Sequence, residues 1–392
     1  MEITEIRRLS PEEHPAARAI SDYCFHARLT KEEEKRRREE IPKDLPEDWG
    51  AFSPDGILMA HVIRNVYQTR FDGGVIQSSG IGAVSTLPEY RESGAIRAIF
   101  EKLLPAARAA GDVISNLYPF NHGFYRKFGY ETLAFQSVYS FPPAALGRRR
   151  FSGWARLRKE GDPSAPYEAL YSDFSSRLNL MTVRTPEMMK EHLSGGDPET
   201  RRFTYLLGEG DEPLAYLVFR DLRHEPQAVL SVEDLAFRGQ RGFQALLGFL
   251  SRFSADYGKI SLILPTGLEL APFLASPYDA EKETSLAHMI RLINAEKLLS
   301  ALNKPEGARF RIRISDPIIP ENDGTFLVSP EGVFRSEEEP DLILPQSVLA
   351  LMAAGGASLY EASLRPDVEI RGNGALLEAV FVKKSVFLTD HF

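Results

Sequence analysis

Cysteine is almost absent from this sequence, because only Cys24 among its 392 residues carries a thiol. One cysteine cannot form a disulfide within the chain, and a zinc site built from several cysteines is excluded for the same reason. We therefore expect no metal centre. Cys24 follows Ala17 and Ile20 at helical spacing, so we interpret it as a small buried residue on an apolar helix face and not as a nucleophile.

Long apolar stretches are also missing. No apolar run approaches the roughly 20 residues that a membrane-spanning helix requires. The N-terminal sequence MEITEIRRLSPEEHPAARAI lacks the apolar segment of a secretory signal. These absences predict a cytoplasmic protein that has no membrane partner.

Positive charge is not in excess either. The chain has 47 Lys and Arg residues against 55 Asp and Glu residues, a net charge of −8. A nucleic-acid-binding protein usually presents a basic face, so nucleic acid is not an expected partner. The hydrophobic content of 43% is that of a packed globular protein. Its length exceeds one ordinary hydrophobic core, which predicts two or three domains.

The most informative pattern is a strand, a glycine turn and a helix. Residues 81–86 are apolar and β-branched, which favours a buried strand, and Pro88 ends it. The turn Arg91-Glu-Ser-Gly94-Ala-Ile96 leads into apolar residues at helical spacing through Leu104. Free amide groups and the helix dipole at such a turn favour an anion such as pyrophosphate. An ordinary turn before an ordinary helix is the alternative, because the glycine alone is a weak signal.

The order of these parts resembles the acetyl-CoA-binding core of the GCN5-related N-acetyltransferases. In that family the turn reads Arg/Gln-x-x-Gly-x-Gly/Ala, and Arg91 and Gly94 match it. Ile96 stands at the last small position, where the Eis-like (enhanced intracellular survival) branch usually has a bulky aliphatic residue. The segment Gly123-Phe-Tyr-Arg-Lys-Phe-Gly-Tyr130 and the last residue, Phe392, are similar to the same branch.

This resemblance implies acetyl-CoA as the cofactor and assigns the residues that hold it. The strand is expected to pair with the pantetheine arm, and the turn is expected to bind pyrophosphate with an arginine as its charge partner. Two residues after the next strand are expected to line the cofactor where that strand diverges. The implied cofactor-binding residues are Val84, Ser85, Thr86, Arg91, Glu92, Ser93, Gly94, Ala95, Ile96, Arg97, Phe120 and Asn121.

The resemblance also implies two catalytic groups. Tyr125 is the expected general acid for the departing thiolate, because a phenol is protonated at neutral pH; a packed aromatic role is the alternative. In Eis-like enzymes the carboxylate of the chain's own C-terminus accepts a proton, which assigns Phe392 as the base. A frayed terminus is the alternative there. Asp390 and His391 are expected to line the cleft.

The rest of the chain resembles two further units. The linker-like residues 141–150 precede a weaker copy of the first organisation. In this copy the turn Arg238-Gly-Gln-Arg-Gly242 has its arginine-to-glycine spacing off by one, so we interpret the copy as structural. The last unit resembles the sterol-carrier-protein-like domain of Eis proteins. We therefore predict an α/β (α+β) fold: tandem GCN5-related acetyltransferase folds followed by a sterol-carrier-protein-like α+β domain, with domains at residues 1–145, 146–286 and 287–392.

The function implied by the resemblance is acetyl-CoA-dependent N-acetylation. The acceptor is expected to be a primary amine of a small molecule (aminoglycoside-like) or of lysine, and the assembly a homo-oligomer, a hexamer in this family. A lipid- or sterol-binding carrier with a non-catalytic acetyltransferase scaffold is the alternative from another class. A longer acyl or aminoacyl donor on the same fold is a third possibility.

Overall fold

Three β-sheets form the framework of this protein. The computed structural model describes residues 3–27, 30–33, 35, 47–149, 151–193, 201–222 and 228–390. Within these residues the sheets contain seven, seven and five strands. No helix in the described ranges is long and apolar enough to span a membrane.

The first sheet starts with antiparallel strands and continues, after a helix, with a parallel strand. Strand β5 lies parallel to β4 because a helical crossover connects them. The predicted strand at residues 81–86 is the end of the longer strand β4, and the helix begins at Ala95 as predicted. In chain order the elements are β1 (Glu5–Arg8), α1 (His14–Cys24), β2 (Glu47–Phe52), β3 (Leu58–Phe71), β4 (Gly74–Thr86), α2 (Ala95–Ala109), β5 (Ile114–Leu117), α3 (His122–Arg126) and β6 (Glu131–Thr132).

Helices α1 and α2 cover opposite faces of this sheet. Helix α2 buries its apolar stripe, including Phe100 and Leu103, in a core cluster that Val84 also contacts. The next strand residue, Ser85, points the other way and lies within hydrogen-bonding distance of α1. The end of β4 is therefore reached from both faces, by α2 on one side and by α1 on the other.

The second sheet repeats this organisation. It is built from β7 (Gln136–Phe141), β8 (Trp154–Leu157), α4 (Ala165–Ser175), α5 (Pro186–Leu193), β9 (Arg202–Glu209), β10 (Glu212–Leu222), β11 (Val229–Phe237), α6 (Gly239–Leu250), β12 (Lys259–Leu264) and β13 (Glu281–Ser285). Strands β11 and β12 are parallel and are joined by helix α6, as β4 and β5 are joined by α2. This repeat confirms the predicted tandem fold.

The two sheets exchange strands. The sequence predicts one strand over residues 130–141, and this prediction is wrong: β6 belongs to the first sheet, whereas β7 pairs with β12 and β13 of the second. The chain leaves the first sheet between them, where Leu133 and Phe135 are buried in a core shared with the last unit. Strand β14 (Met289–Leu292) returns to the first sheet, between β5 and β6. The three predicted domain ranges remain a prediction, because the first sheet includes a strand from residues 287–392 and the second sheet includes a strand from residues 1–145.

The last unit is a five-stranded sheet packed against helices. Its elements are α7 (Ala295–Ala301), β15 (Phe310–Ser315), β16 (Gly324–Ser329), β17 (Gly332–Ser336), β18 (Leu342–Pro345), α8 (Gln346–Ala354), α9 (Leu359–Ser363), β19 (Glu369–Ile370) and α10 (Gly374–Val380). Helix α8 is apolar on all sides and almost wholly buried, so it fills the centre of this unit.

The C-terminal tail after α10 is fixed to the second unit. Val386 forms an isolated bridge with Asn179, and its carbonyl oxygen accepts a hydrogen bond from the amide of Thr266 at 2.9 Å. Phe387 is fully buried in the core of the second unit. The apolar run at residues 386–388 therefore anchors the tail as far as Asp390.

Candidate active site

The first sheet opens between its two parallel strands. The ladder between β4 and β5 runs only from the Ser78–Ile114 pair to the Ile81–Leu117 pair. Strand β4 continues to Thr86, so within the described structure residues 82–86 have no strand partner on the β5 side. On the other side the β3–β4 register is irregular near Ala83, whose φ of 50° is positive. A bulge of this kind bends the strand away from its neighbour. The result is a wedge-shaped opening in which the end of β4 has no strand partner on the β5 side.

The glycine turn closes one end of this opening. Gly94 precedes the first residue of α2 and has a φ of +84°, which few other residues adopt without strain. A Cβ atom added to Gly94 would meet no atom within 4 Å, so the space in front of the helix is open. The first amide groups of a helix have no helical partners. The turn therefore presents donors and a positive dipole end to an unfilled space, as an anion site requires.

A cavity of about 720 Å³ joins the turn to the strand opening. The structure brings together all but one of the predicted cofactor-binding residues in its wall. The lining residues are Cys24, Phe25, Val84, Ser85, Thr86, Tyr90, Arg91, Glu92, Ser93, Gly94, Ala95, Ile96, Arg97, Phe120, Phe124, Lys127 and Phe128. The cavity carries the cations of Arg91, Arg97 and Lys127 against the single carboxylate of Glu92, so an anionic ligand matches its charge.

Asn121 is the predicted residue that does not line the cavity. Its side chain accepts a hydrogen bond from the amide of Phe124 at 2.9 Å. Asn121 thus caps the start of the short helix α3, which is a common use of asparagine before a helix. Its contribution to the site is to position α3.

Sequence analysis missed two cavity residues at the end of α1. Cys24 is only partly buried, not buried as predicted, and its thiol donates to the carbonyl oxygen of Thr86 at 3.3 Å. The next residue, Phe25, is exposed at the cavity. No pattern in the sequence indicates that α1 ends at the opening of β4. Phe124, Lys127 and Phe128 were also missed, although they lie in the segment that carries the family resemblance.

Tyr125 lies directly behind the cavity wall. It is 2% exposed, and its ring centroid is 5.3 Å from that of Phe120 and 5.1 Å from that of Phe124, both lining residues. Burial raises the pKa of the Tyr125 phenol well above its usual value, and the neighbouring Tyr130 adds to the effect. The phenol is therefore protonated throughout the neutral range. Among the described residues its hydroxyl has no hydrogen-bond partner.

The predicted base, Phe392, and its neighbour His391 lie outside the described residues. The last described residue, Asp390, is buried and ion-paired with Arg184 of the second unit, Nε to Oδ1 at 2.9 Å. The hydroxyl of Tyr118 donates to the carbonyl oxygen of Asp390 at 2.9 Å. Asp390 is thus held at the junction of two units and is not a residue of the cavity wall described here.

The arginines of the corresponding turn in the second unit, Arg238 and Arg241, are paired with carboxylates. A Cβ atom added to Gly242 would lie 2.4 Å from the carbonyl oxygen of Leu214. The guanidinium of Arg241 pairs with Glu209 and Glu212 at 2.9 Å. Carboxylates therefore neutralise the positive charge at the second turn, although the space beside Gly239 at the start of α6 is open.

Comparisons with known proteins agree with this geometry. The family profile described as an acetyltransferase (GNAT) domain matches residues 5–133, and the profile described as a sterol carrier protein domain matches residues 295–389. No curated protein matches the chain at the sequence level.

Solved structures match over nearly the full length of the chain, covering 99% of it in each case. A probable N-acyltransferase of unknown function from Enterococcus faecalis V583 has a TM-score of 0.86 at 20% identity, with 99% of that protein covered. A GCN5-related N-acetyltransferase from Anabaena variabilis ATCC 29413 has a TM-score of 0.85 at 19% identity, with 100% covered. Eis1 from Mycobacterium abscessus has a TM-score of 0.81 at 20% identity, with 100% covered. The chain thus contains an acetyltransferase (GNAT) domain at residues 5–133 and a sterol carrier protein domain at residues 295–389, and it shares the overall fold of Eis1 and of the other two structures.

Proposed function

We propose that this protein is a cytoplasmic enzyme that transfers the acetyl group of acetyl-CoA to a primary amine. The acceptor is an amine of a small molecule, aminoglycoside-like, or of a lysine side chain. The observation that carries the proposal is the cavity of about 720 Å³ that joins an unfilled glycine turn to the unpaired backbone of β4. A diphosphate attached to an extended amide-containing arm needs both features in this order.

Different cavity residues bind different parts of acetyl-CoA. The turn around Gly94 binds the diphosphate, and Arg91 and Arg97 neutralise part of its charge. The free backbone groups of residues 84–86 pair with the amides of the pantetheine arm. Phe120, which is 68% exposed at the cavity, covers the arm from the other side. When bound, the cofactor supplies a thioester carbonyl that an amine can attack.

Two groups transfer protons in this proposal, one as a donor and one as an acceptor. Tyr125 donates to the departing thiolate; burial keeps the phenol protonated, and the same apolar surroundings make the thiolate a stronger base than it is in water. The terminal carboxylate of Phe392 receives the proton that the ammonium form of the acceptor loses before its nitrogen can attack. The anchoring of the tail at Asp390 supports this role, because it fixes the chain two residues before that carboxylate.

The first test is calorimetric titration with acetyl-CoA, followed by an amine assay that measures thiol release. We expect one cofactor per chain and acetylation of at least one amine in a panel of aminoglycosides, diamines and lysine peptides. The absence of acetyl-CoA binding, or two equivalent sites, would refute the proposal. Repeating the assay with longer acyl-CoA donors tests the longer-chain alternative, and light scattering tests the proposed homo-oligomer, a hexamer by family resemblance.

The carrier alternative has less support. The interior of the last unit is filled with fully buried side chains, including Ile312, Phe326 and Leu349. A cavity of about 480 Å³ on this unit is lined by the loop residues 302–308 and by residues near Pro330, and it lies at the surface. A lipid chain requires a deep apolar pocket. We therefore place the acetyl transfer first.

A further inference from the structure

A chain of buried polar groups lies behind β4, on the face covered by α1. His14, Asp48 and His61 are each at most 5% exposed. Oδ2 of Asp48 is 2.5 Å from Nδ1 of His14, and Oδ1 is 2.6 Å from Nε2 of His61. Burying a carboxylate between two imidazoles costs more desolvation free energy than an apolar core does. The catalytic scheme proposed above uses none of these groups.

The hydrogen-bond directions in this chain follow from its chemistry. Burial raises the pKa of Asp48, but its bonds to His61 and His14 outweigh burial and hold the pKa below its usual value. The carboxylate is therefore ionised and can only accept hydrogen bonds. Nε2 of His61 must donate to it, which leaves Nδ1 of a neutral His61 as an acceptor. Ser21 Oγ lies 3.1 Å from that Nδ1, so its hydroxyl donates there.

The series of hydrogen-bonded groups continues from Ser21 to the cavity. Ser85 Oγ is 3.3 Å from Ser21 Oγ. Because the proton of Ser21 is directed to His61, Ser85 donates to Ser21. Ser85 itself belongs to the cavity wall, beside the bulge of β4. A continuous set of donors and acceptors thus leads from the cavity to a buried imidazole backed by a carboxylate.

Neither a metal site nor packing accounts for this arrangement. Within the described parts of the chain, no group of three His, Cys, Asp or Glu side chains is placed to hold a metal ion. Here the imidazole nitrogens contact the carboxylate oxygens instead of converging on a common point. Packing alone would not require two serine hydroxyls to be aligned with the free nitrogen of His61. Asp48 between a histidine and a serine-linked histidine is an arrangement that stabilises a protonated imidazole.

We propose that Ser85, Ser21, His61 and Asp48 form a proton relay that removes the proton released by the acceptor amine when its nitrogen bonds to the acyl carbon; this inference rests on the proposed function. The amine nitrogen bonds to the acyl carbon, the carbon–sulfur bond breaks, and Tyr125 protonates the thiolate. The amine proton passes to Ser85 Oγ, the Ser85 proton to Ser21 Oγ, and the Ser21 proton to Nδ1 of His61. The imidazolium pairs with Asp48, and exchange with solvent through the cavity restores both protonation states.

The relay and the terminal carboxylate accept different protons: the carboxylate accepts the proton of the ammonium form, and the relay accepts the proton that the nitrogen releases after it bonds to the acyl carbon. An α-carboxyl group has an ordinary pKa of about 3.5, whereas that of the histidine side chain is about 6.5. An imidazole as a class therefore retains a proton at neutral pH far better than a terminal carboxylate. The titratable groups that the structure places against His61 are Asp48 on β2 and, beyond it, His14 on α1, while β4 contributes the hydroxyl of Ser85.

The decisive variant is Ser21→Ala, because it removes the middle of the relay and leaves the cavity wall unchanged. We expect the single-turnover acetylation rate to fall about 10²-fold, with the Kd for acetyl-CoA unchanged. Ser21→Thr retains the hydroxyl and is expected to stay within a few-fold of wild type. His61→Gln still donates to Asp48 but cannot take up the proton, so it should match Ser21→Ala.

The pH dependence of the acetylation rate distinguishes a proton-transfer role of these residues from a purely structural one. With an amine that stays neutral throughout the titration, the wild-type rate should fall in acid because an imidazolium cannot accept a proton. This acidic limb should be absent from the residual activity of Ser21→Ala and His61→Gln. A wild-type rate in Ser21→Ala, or a loss that Ser21→Thr does not restore, overturns the relay. Failure of the proposed function can be distinguished from failure of the relay, since wild-type protein itself would then bind no acetyl-CoA or acetylate no amine.

Discussion

Asp390 is the residue whose substitution tests how the C-terminal tail is held. Its carboxylate is buried between Arg184, at 2.9 Å, and His192, also at 2.9 Å. The same guanidinium donates to Asp234 at 2.7 Å and to the hydroxyl of Thr389 at 2.7 Å. We predict that Asp390→Asn weakens the attachment of the tail to the second unit. The substitution keeps the size of the side chain and the backbone carbonyl that Tyr118 contacts.

The magnitude follows from the pKa of Asp390. Burial raises this pKa, but Arg184 and His192 outweigh burial and lower it from 3.8 to about 2. At about 1.4 kcal/mol for each pH unit, the native environment favours the charged carboxylate by roughly 2 kcal/mol. We expect Asp390→Asn to lower the free energy of unfolding of the tail and second unit by this order at pH 7. With an unfolding entropy of about 2.1 cal/mol/K per residue, a loss of this order in a protein of this size lowers the transition temperature by about 2–3 °C.

The lowered pKa of Asp390 also predicts how the stability difference between wild type and Asp390→Asn changes with pH. A carboxyl whose folded pKa is depressed stabilises the native state above its unfolded pKa and loses that contribution as the pH falls through the folded value. The difference between wild type and Asp390→Asn should therefore be full above about pH 5 and shrink towards pH 2. Thermal unfolding followed by calorimetry from pH 7 downward measures it.

A surface pair provides the matched control for this experiment. Asp173 pairs with Arg177 one helical turn away and with Arg238 at 3.5 Å, and all three side chains are at least one-third exposed. Exposed pairs of this kind contribute about 0.3–0.5 kcal/mol, so Asp173→Asn should change the transition temperature little. Equal effects of the two substitutions, or an effect of Asp390→Asn that is the same at every pH, would refute the reasoning.

Four further predictions concern the first unit and the terminus. Tyr125→Phe should lower the single-turnover rate by about 10²-fold with the Kd for acetyl-CoA unchanged; an unaltered rate would assign Tyr125 to packing. Gly94→Glu should abolish acetyl-CoA binding in calorimetry, whereas Gly56→Glu, with a similar positive φ and equally open surroundings, should bind normally; equal binding by both variants would contradict the anion site. Wild-type protein should bind one cofactor per chain, because carboxylates pair with the arginines of the second turn, and a stoichiometry of two would be inconsistent with that pairing. Appending a few residues after Phe392 should reduce turnover without changing cofactor affinity, and unaltered turnover would remove the terminal carboxylate from the mechanism.

Local patterns in the sequence were sufficient to predict the core of the site. The helical spacing of apolar residues in α2, the turn before it and the strand ahead of it are short-range features, and the structure has all three. The cavity contains the predicted residues because a turn between a strand and a helix places its own neighbours on one wall. Val84 and Gly94 therefore line the same cavity, and the family resemblance had assigned both of them to the cofactor.

The missed features depend on contacts between distant parts of the chain. Ser21 and Cys24 reach the end of β4 only because α1 packs over that strand, and no local pattern records this. Arg184 occupies an ordinary position in the sequence, yet it binds Asp390 about 200 residues away. Asn121 was assigned to the cofactor although its spacing before α3 also fits a helix cap, the role it has in the structure.

The exchange of strands has a consequence for how this chain is synthesised. Strand β5 is complete at Leu117, but its neighbour β14 begins only at Met289, so about 170 residues must be made before the first sheet can close. During that interval one edge of β5 has no partner strand, and an unpaired edge can pair wrongly with another chain. Strand β7 likewise has no partner until β12, which follows it by more than 100 residues, has been synthesised. A fragment cut at the apparent end of the first unit would thus retain the acetyl-CoA turn and yet lack the strand that completes its sheet, and it should aggregate instead of folding as an independent acetyltransferase.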